Sequence, residues 1–140
     1  MNVGVLQGEW RDLALLTYRV DRALLEPHVP RGTTLDLWQG EALVSVVALR
    51  FLDLGVLGIP VPLHQDFPQV NLRFYVARVV PGPAGPEVRH GAVFLREMVP
   101  RPVLAAAAKL LMNEPFRPAG LSRREERDTA GNVTALEYAW

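Results

Sequence analysis

The sequence predicts an α+β domain built on a mostly antiparallel sheet. Three observations carry that expectation. Several runs alternate apolar and polar residues with the two-residue period of a strand, most clearly from Val70 to Val79. Gly- and Pro-rich turns separate neighbouring runs, which favours antiparallel neighbours. One stretch alone, Pro102 to Met112, reads clearly as a helix.

Taken in order, Asp12 to Val20 alternates apolar and mixed positions and reads as a first strand. Asp21 suits the N-cap of a short helix over Arg22 to Glu26, which Pro27 and Pro30 end. Thr34 to Trp38 and Ala42 to Phe51 read as a hairpin turning at Gln39-Gly40. Residues 53–66 read as a Gly- and Pro-punctuated loop, unusually apolar through Val56, Leu57, Ile59, Val61 and Leu63. Those side chains must cover something, whether the loop's own core, a pocket mouth or a neighbouring chain. The strand Val70 to Val79 turns at Pro81 to Pro86, whose prolines remove ladder donors, and returns from Glu87 to Leu95.

In Pro102–Met112 the proline fits a first helical turn, and alanine has the highest helix propensity. This helix is apolar nearly all round and is expected to be buried. Residues 121–127 and 132–140 read as a last hairpin around Asp128 to Asn132. Its Thr134, Leu136, Tyr138 and Trp140 share a face that is expected to pack on the core or on a partner. The charge-alternating run Ser122 to Asp128 reads as a solvated edge.

At 140 residues, with no linker or internal repeat, residues 1–140 are expected to form a single domain. Apolar residues make up 49% of the chain, enough for a core and against general disorder. Zero formal net charge, with no long block of one sign, argues against nucleic acid or an anionic membrane as the main partner. The absence of cysteine excludes disulfides, thiolate metal sites and cysteine nucleophiles. Glu9, Arg11 and Asp12 come too early for a signal peptide, and no run approaches a membrane span, so a cytoplasmic location is the expectation. His28, His64 and His90 lack metal-ligand spacing, and no phosphate loop, nucleophile elbow or dinucleotide fingerprint appears. Neither a metal nor a cofactor is expected.

The chemistry concentrates in Phe67 to Val76. There Val70, Leu72, Phe74 and Val76 point one way, and Asn71, Arg73 and Tyr75 the other. A polar face of this kind either meets water or lines a polar cavity. Arginine can hold a carboxylate by two parallel hydrogen bonds, with Asn and Tyr adding donors.

The motifs Trp10-Arg11-Asp12-Leu13, Tyr18-Arg19-Val20-Asp21, Val29-Pro30-x-Gly32, Phe67-Pro68-Gln69-Val70-Asn71-Leu72-Arg73-x-Tyr75-Val76, Phe94 to Pro102 and Asn113-Glu114-Pro115-Phe116 resemble the YqjF-like bacterial proteins. That family is of unknown function and related in fold to acetoacetate decarboxylase. The resemblance covers nearly the whole chain. It implies an acetoacetate-decarboxylase-like partial β-barrel with one buried helix and an internal cavity. It also places Arg11 where the decarboxylase has a pocket arginine, and Gln69 near the position of its glutamate. The enzyme's Pro-Lys-Lys motif falls at Pro100-Arg101-Pro102 or at Pro115-Phe116-Arg117, according to register. Neither holds a lysine, so Schiff-base decarboxylation is not expected.

Lys109, the only lysine, would be nucleophilic if desolvated, but lysine stems usually lie along a helix with the ammonium in water. Glu97 and Glu114 can act as acids or bases, or pair with Arg96, Arg101 and Arg117. The expected ligand site is Arg11, Gln69, Asn71, Arg73 and Tyr75, taking a small organic carboxylate. Two arginines without an obligatory base describe a binder more readily than a catalyst. A non-catalytic assembly module, or an enzyme using arginine and carboxylate groups, are the other readings. Relatives run on past residue 140, so the barrel is expected either to close in a homodimer or to be a piece of a longer protein.

Overall fold

The computed structural model describes residues 6–61, 66–100 and 116–140. Nine strands occur among them: β1 (Leu6–Val20), β2 (Thr34–Leu35), β3 (Ala42–Val56), β4 (Ile59–Pro60), β5 (Asp66–Gly82), β6 (Gly85–Val99), β7 (Phe116–Pro118), β8 (Ser122–Arg127) and β9 (Val133–Ala139). The main sheet runs β1-β3-β5-β6-β7. Its pairings are antiparallel except β6 with β7, which is parallel. Among the described residues the sheet is open, with β1 at one end and β7 at the other. The mostly antiparallel sheet matches the expectation from sequence. The expected helix Pro102–Met112 lies outside the described residues, as do His64, Lys109 and Glu114.

Several boundaries differ from the sequence reading, each for a local reason. The first strand begins six residues before Asp12, because a bulge between Arg11 and Ala14 carries β1 onward along β3. Asp12 sits in that bulge at φ 51, a left-handed conformation that Asp tolerates better than most residues. Asp21 caps as expected, its Oδ1 accepting from the Ala23 N–H at 2.9 Å, but it starts a short 3-10 turn, Arg22–Leu24, which a second, Glu26–His28, follows.

The expected Thr34–Trp38 strand shrinks to β2, and it pairs with β5 rather than with β3. The β3 ladder along β5 ends at Val44–Phe74, which leaves Val76 and Ala77 for β2 to pair with. Only a Trp38–Glu41 bridge remains of the expected hairpin, closed by Gln39 and Gly40 at φ 53 and 83. The apolar loop is partly a tight hairpin: β3 runs to Val56, turns at Leu57-Gly58 and returns as β4. Strands β5 and β6 close on a two-residue turn, Pro83-Ala84, so Pro81 and Pro86 lie inside the ladder opposite each other.

Register assigns the faces. On one, Ser45, Val47, Leu49 and Phe51 of β3 stand beside Arg73, Asn71, Gln69 and Phe67 of β5. Val47, Leu49, Phe51, Leu54, Phe67 and Val99 form a fully buried cluster, with Phe51 and Phe67 stacked at 5.4 Å between centroids. On the other face Ala42, Phe74 and Val76 pack with Leu25 from the 3-10 turns. Both faces of central β5 are therefore covered near its middle. Burying each large apolar side chain contributes roughly 1.5–3 kcal/mol.

Candidate functional site

The row Gln69, Asn71, Arg73 and Tyr75 projects from one face of β5, as the two-residue period predicts. That face is not solvated. Asn71 is 1% exposed and Gln69 5%, while Arg73 and Tyr75 are half-buried. Neighbouring strands add polar groups that sequence reasoning passed over. Ser45, fully buried, lies across from Arg73, and Thr17 lies across from Ser45. Their hydroxyls form a chain, Thr17 Oγ1 to Ser45 Oγ at 2.8 Å and Ser45 Oγ to Tyr75 Oη at 2.7 Å. A serine inside the otherwise apolar run Ala42 to Leu49, on the same face as the β5 row, was the available signal.

On the β6 side, Glu97 pairs in register with Asn71 and is 3% exposed. Gln69 donates from Nε2 to Glu97 Oε1 at 2.9 Å. Such a buried carboxyl needs donors, because burying it bare is strongly unfavourable. Two atoms of the row have no hydrogen-bond partner among the described residues: Asn71 Oδ1 and Arg73 Nε, both buried. A polar atom left so costs about 1–3 kcal/mol. The Arg73 guanidinium carbon sits 5.8 Å from the centroid of the Tyr75 ring.

Arg11 does not join this group. It pairs in register with Arg50, on the opposite face of the sheet from Ser45 and Arg73. Its side chain is exposed and bound to Glu9 at 2.7 Å, and that hydrogen bond raises its pKa further. The bulge at Asp12 makes the difference, since one extra residue switches the face of everything before it.

That opposite face carries a groove of about 690 Å³, walled by Val46, Val70, Leu72, Met98, Arg96 and Trp140, and bordered also by Asn71 and Phe94. Near it the β8–β9 hairpin is tied to the β1 bulge. Arg123 bonds both Asp12 and Glu125, and the Tyr138 hydroxyl donates to the Asp12 carbonyl at 2.8 Å. The Arg123 side chain is only 13% exposed, so this part of the hairpin is not the solvated edge that its charge alternation suggests. Leu136 and Tyr138 are half-buried, while Trp140 is 60% exposed.

Among the described residues no cluster of His, Asp and Glu could hold a metal ion, and no helix is long and apolar enough to cross a membrane.

The site is thus a buried polar row on the central strand of a mostly antiparallel sheet. The sequence pattern of the DUF2071 family, described as an "Uncharacterized conserved protein", matches residues 7–139, and the chain belongs to that family. It is similar to the "Uncharacterized protein YqjF" of Bacillus subtilis (strain 168), at 31% identity over 75 residues. The aligned stretch covers 53% of this chain and 31% of that relative. No solved structure matches the chain.

Proposed function

We propose that this chain binds a small organic carboxylate on the polar row of β5, with Arg73 as the partner of the anion. The observation that carries this reading is Arg73 itself. Its Nε is buried without a hydrogen-bond partner, and none of the ion pairs among the described residues includes it. A guanidinium nitrogen drawn out of water needs an acceptor, and a carboxylate can take Nε and a terminal nitrogen together. Tyr75 flanks it, held by Ser45, and Gln69 and Asn71 extend the row. Arg11 is left out, since it stands on the other face.

The same reading treats residues 1–140 as one domain and the sheet as part of an acetoacetate-decarboxylase-like barrel. In support, one continuous sheet spans β1 to β7. The row carries no lysine, so the proposed chemistry is binding and not Schiff-base decarboxylation. Calorimetric titration with butyrate tests the reading. Arg73→Met should weaken binding about tenfold or more, as loss of a charge-assisted hydrogen bond does. Unchanged affinity in that variant, or no binding by the unaltered protein at millimolar butyrate, would overturn it.

A second reading has its own observation. Strand β1 is unpaired on its outer side among the described residues, and Trp10, Leu13, Leu15, Leu16 and Tyr18 along it are about half exposed. A long apolar edge of this kind favours pairing with another chain. A homodimer through β1 would appear in light scattering, and Leu16→Glu should abolish it. A monomer at high micromolar concentration would rule it out.

A further inference from the structure

We infer that the ligand of the β5 row is a hydroxy acid, its carboxylate on Arg73 and its hydroxyl on the Asn71 amide. The inference rests on the carboxylate reading of Arg73 and goes beyond it through a different residue. Asn71 is 1% exposed, and its Oδ1 has no partner among the described residues. Beside it on β6 stands Glu97, with which it shares no hydrogen bond among the described residues, and three other polar groups nearby are already bonded. Gln69 gives Nε2 to Glu97, the Tyr75 hydroxyl is bonded to Ser45, and the Ser45 hydroxyl also to Thr17. Across β3 the residue facing Asn71 is Val47, which can bond nothing. Buried amides in folded proteins are rarely left in this state.

The chemistry of the two unsatisfied groups narrows the ligand. Arg73 offers only donors and a positive charge, so it selects the carboxylate. The Asn71 amide needs a partner that suits an oxygen, and a hydroxyl suits it in either amide orientation, donating to Oδ1 or accepting from Nδ2. A ketone only accepts, so it would suit the amide in one orientation alone and would leave Oδ1 unsatisfied in the orientation the structure shows. Spacing agrees as well. Residues two apart on a strand are separated by roughly 6.5–7 Å. Two side chains of such roots can converge on groups a few bonds apart, as in a 3-hydroxy acid.

Calorimetry on the whole 140-residue chain with two probes, 3-hydroxybutyrate and butyrate, tests this. The unaltered protein should bind 3-hydroxybutyrate about tenfold more tightly, the scale of one buried hydrogen bond. In Asn71→Leu that preference should vanish, the affinity for 3-hydroxybutyrate falling to that for butyrate. Equal affinity for the two acids in the unaltered protein would overturn the hydroxy-acid inference and leave the carboxylate site standing. A preference that survives in Asn71→Leu would overturn it too. Binding of neither acid would remove both readings together. Because the first comparison needs no variant, a folding defect in Asn71→Leu cannot obscure the outcome.

Discussion

Gln69 on β5 and Glu97 on β6 hold each other across the sheet, Nε2 to Oε1 at 2.9 Å, with both side chains at least 95% removed from solvent. The pair fixes one end of the polar row and aligns Glu97 beside Asn71. Gln69→Leu keeps the size of the side chain and removes the donor. It should destabilise the fold by about 1–3 kcal/mol, the usual loss when a buried acceptor is deprived of its partner. Urea unfolding followed by far-UV circular dichroism measures this, and a loss below about 0.5 kcal/mol would show the bond to be dispensable.

Much of this arrangement was legible in the sequence, and the exceptions have physical causes. Period-two alternation put Asn71, Arg73 and Tyr75 on one face, and register confirms it. Whether that face met water could not be read from β5, because burial depends on what other segments bring to it. Arg11 stands on the other face for a sharper reason. Its face is set by the bulge between Arg11 and Ala14, where Asp12 has φ 51, and a bulge leaves almost no trace in side-chain pattern. Thr34–Trp38 reads as a hairpin partner of β3, but local alternation carries no information on which strand will accept its hydrogen bonds. In the charge run of β8, Ser122, Arg124, Glu126 and Arg127 are exposed as expected, but Arg123 finds Asp12 more than a hundred residues away in sequence.

Gly8 provides a test of packing at the β1 end of the sheet. A Cβ built on Gly8 would run into the Phe51 ring, which is stacked on Phe67 with only 5° between the planes. Gly8→Ala must therefore push Phe51 out of that stack. The expected destabilisation is about 1–3 kcal/mol, as for other overpacked sites. A double variant, Gly8→Ala with Phe51→Leu, should recover part of the loss if the clash is its source. A melting temperature unchanged by Gly8→Ala would contradict this packing.

The β8–β9 hairpin should owe its position to the β1 bulge. Tyr138→Phe removes the hydroxyl that donates to the Asp12 carbonyl at 2.8 Å and should cost about 0.5–1.5 kcal/mol. Arg123→Met, which breaks the bonds to both Asp12 and Glu125, should do more. Hydrogen exchange locates the effect: amides of β8 and β9 should lose protection while those of β3 and β5 keep theirs. Equal loss across all four strands would mean that the hairpin and the sheet open as one unit.

Acid stability should depend on the Arg50–Asp66 pair, which meets at 2.6 Å on the face opposite the polar row. The hydrogen bond from Arg50 holds the Asp66 carboxyl below its ordinary pKa. A carboxylate with a depressed folded pKa stabilises the fold fully above its unfolded pKa, about 3.9 for Asp, and that stabilisation is lost as pH falls through the folded value. Its size is modest, because the Asp66 side chain is 55% exposed and water screens the pair, as at sites where such pairs give about 0.2–1 kcal/mol. Glu125 is shifted the same way, chiefly by its hydrogen bond to Arg127 and then by that to Arg123, and contributes over a similar window. Tyr138 acts at the other end of the scale: burial raises its pKa, so the stability it adds is present below about pH 10 and is lost as pH rises through the raised value. Stability measured by urea unfolding should therefore decline below about pH 4. In Arg50→Met the decline should be shallower, since Asp66 then titrates more nearly as it does unfolded. An acid limb of identical slope in the variant would show that this pair does not contribute to the pH dependence.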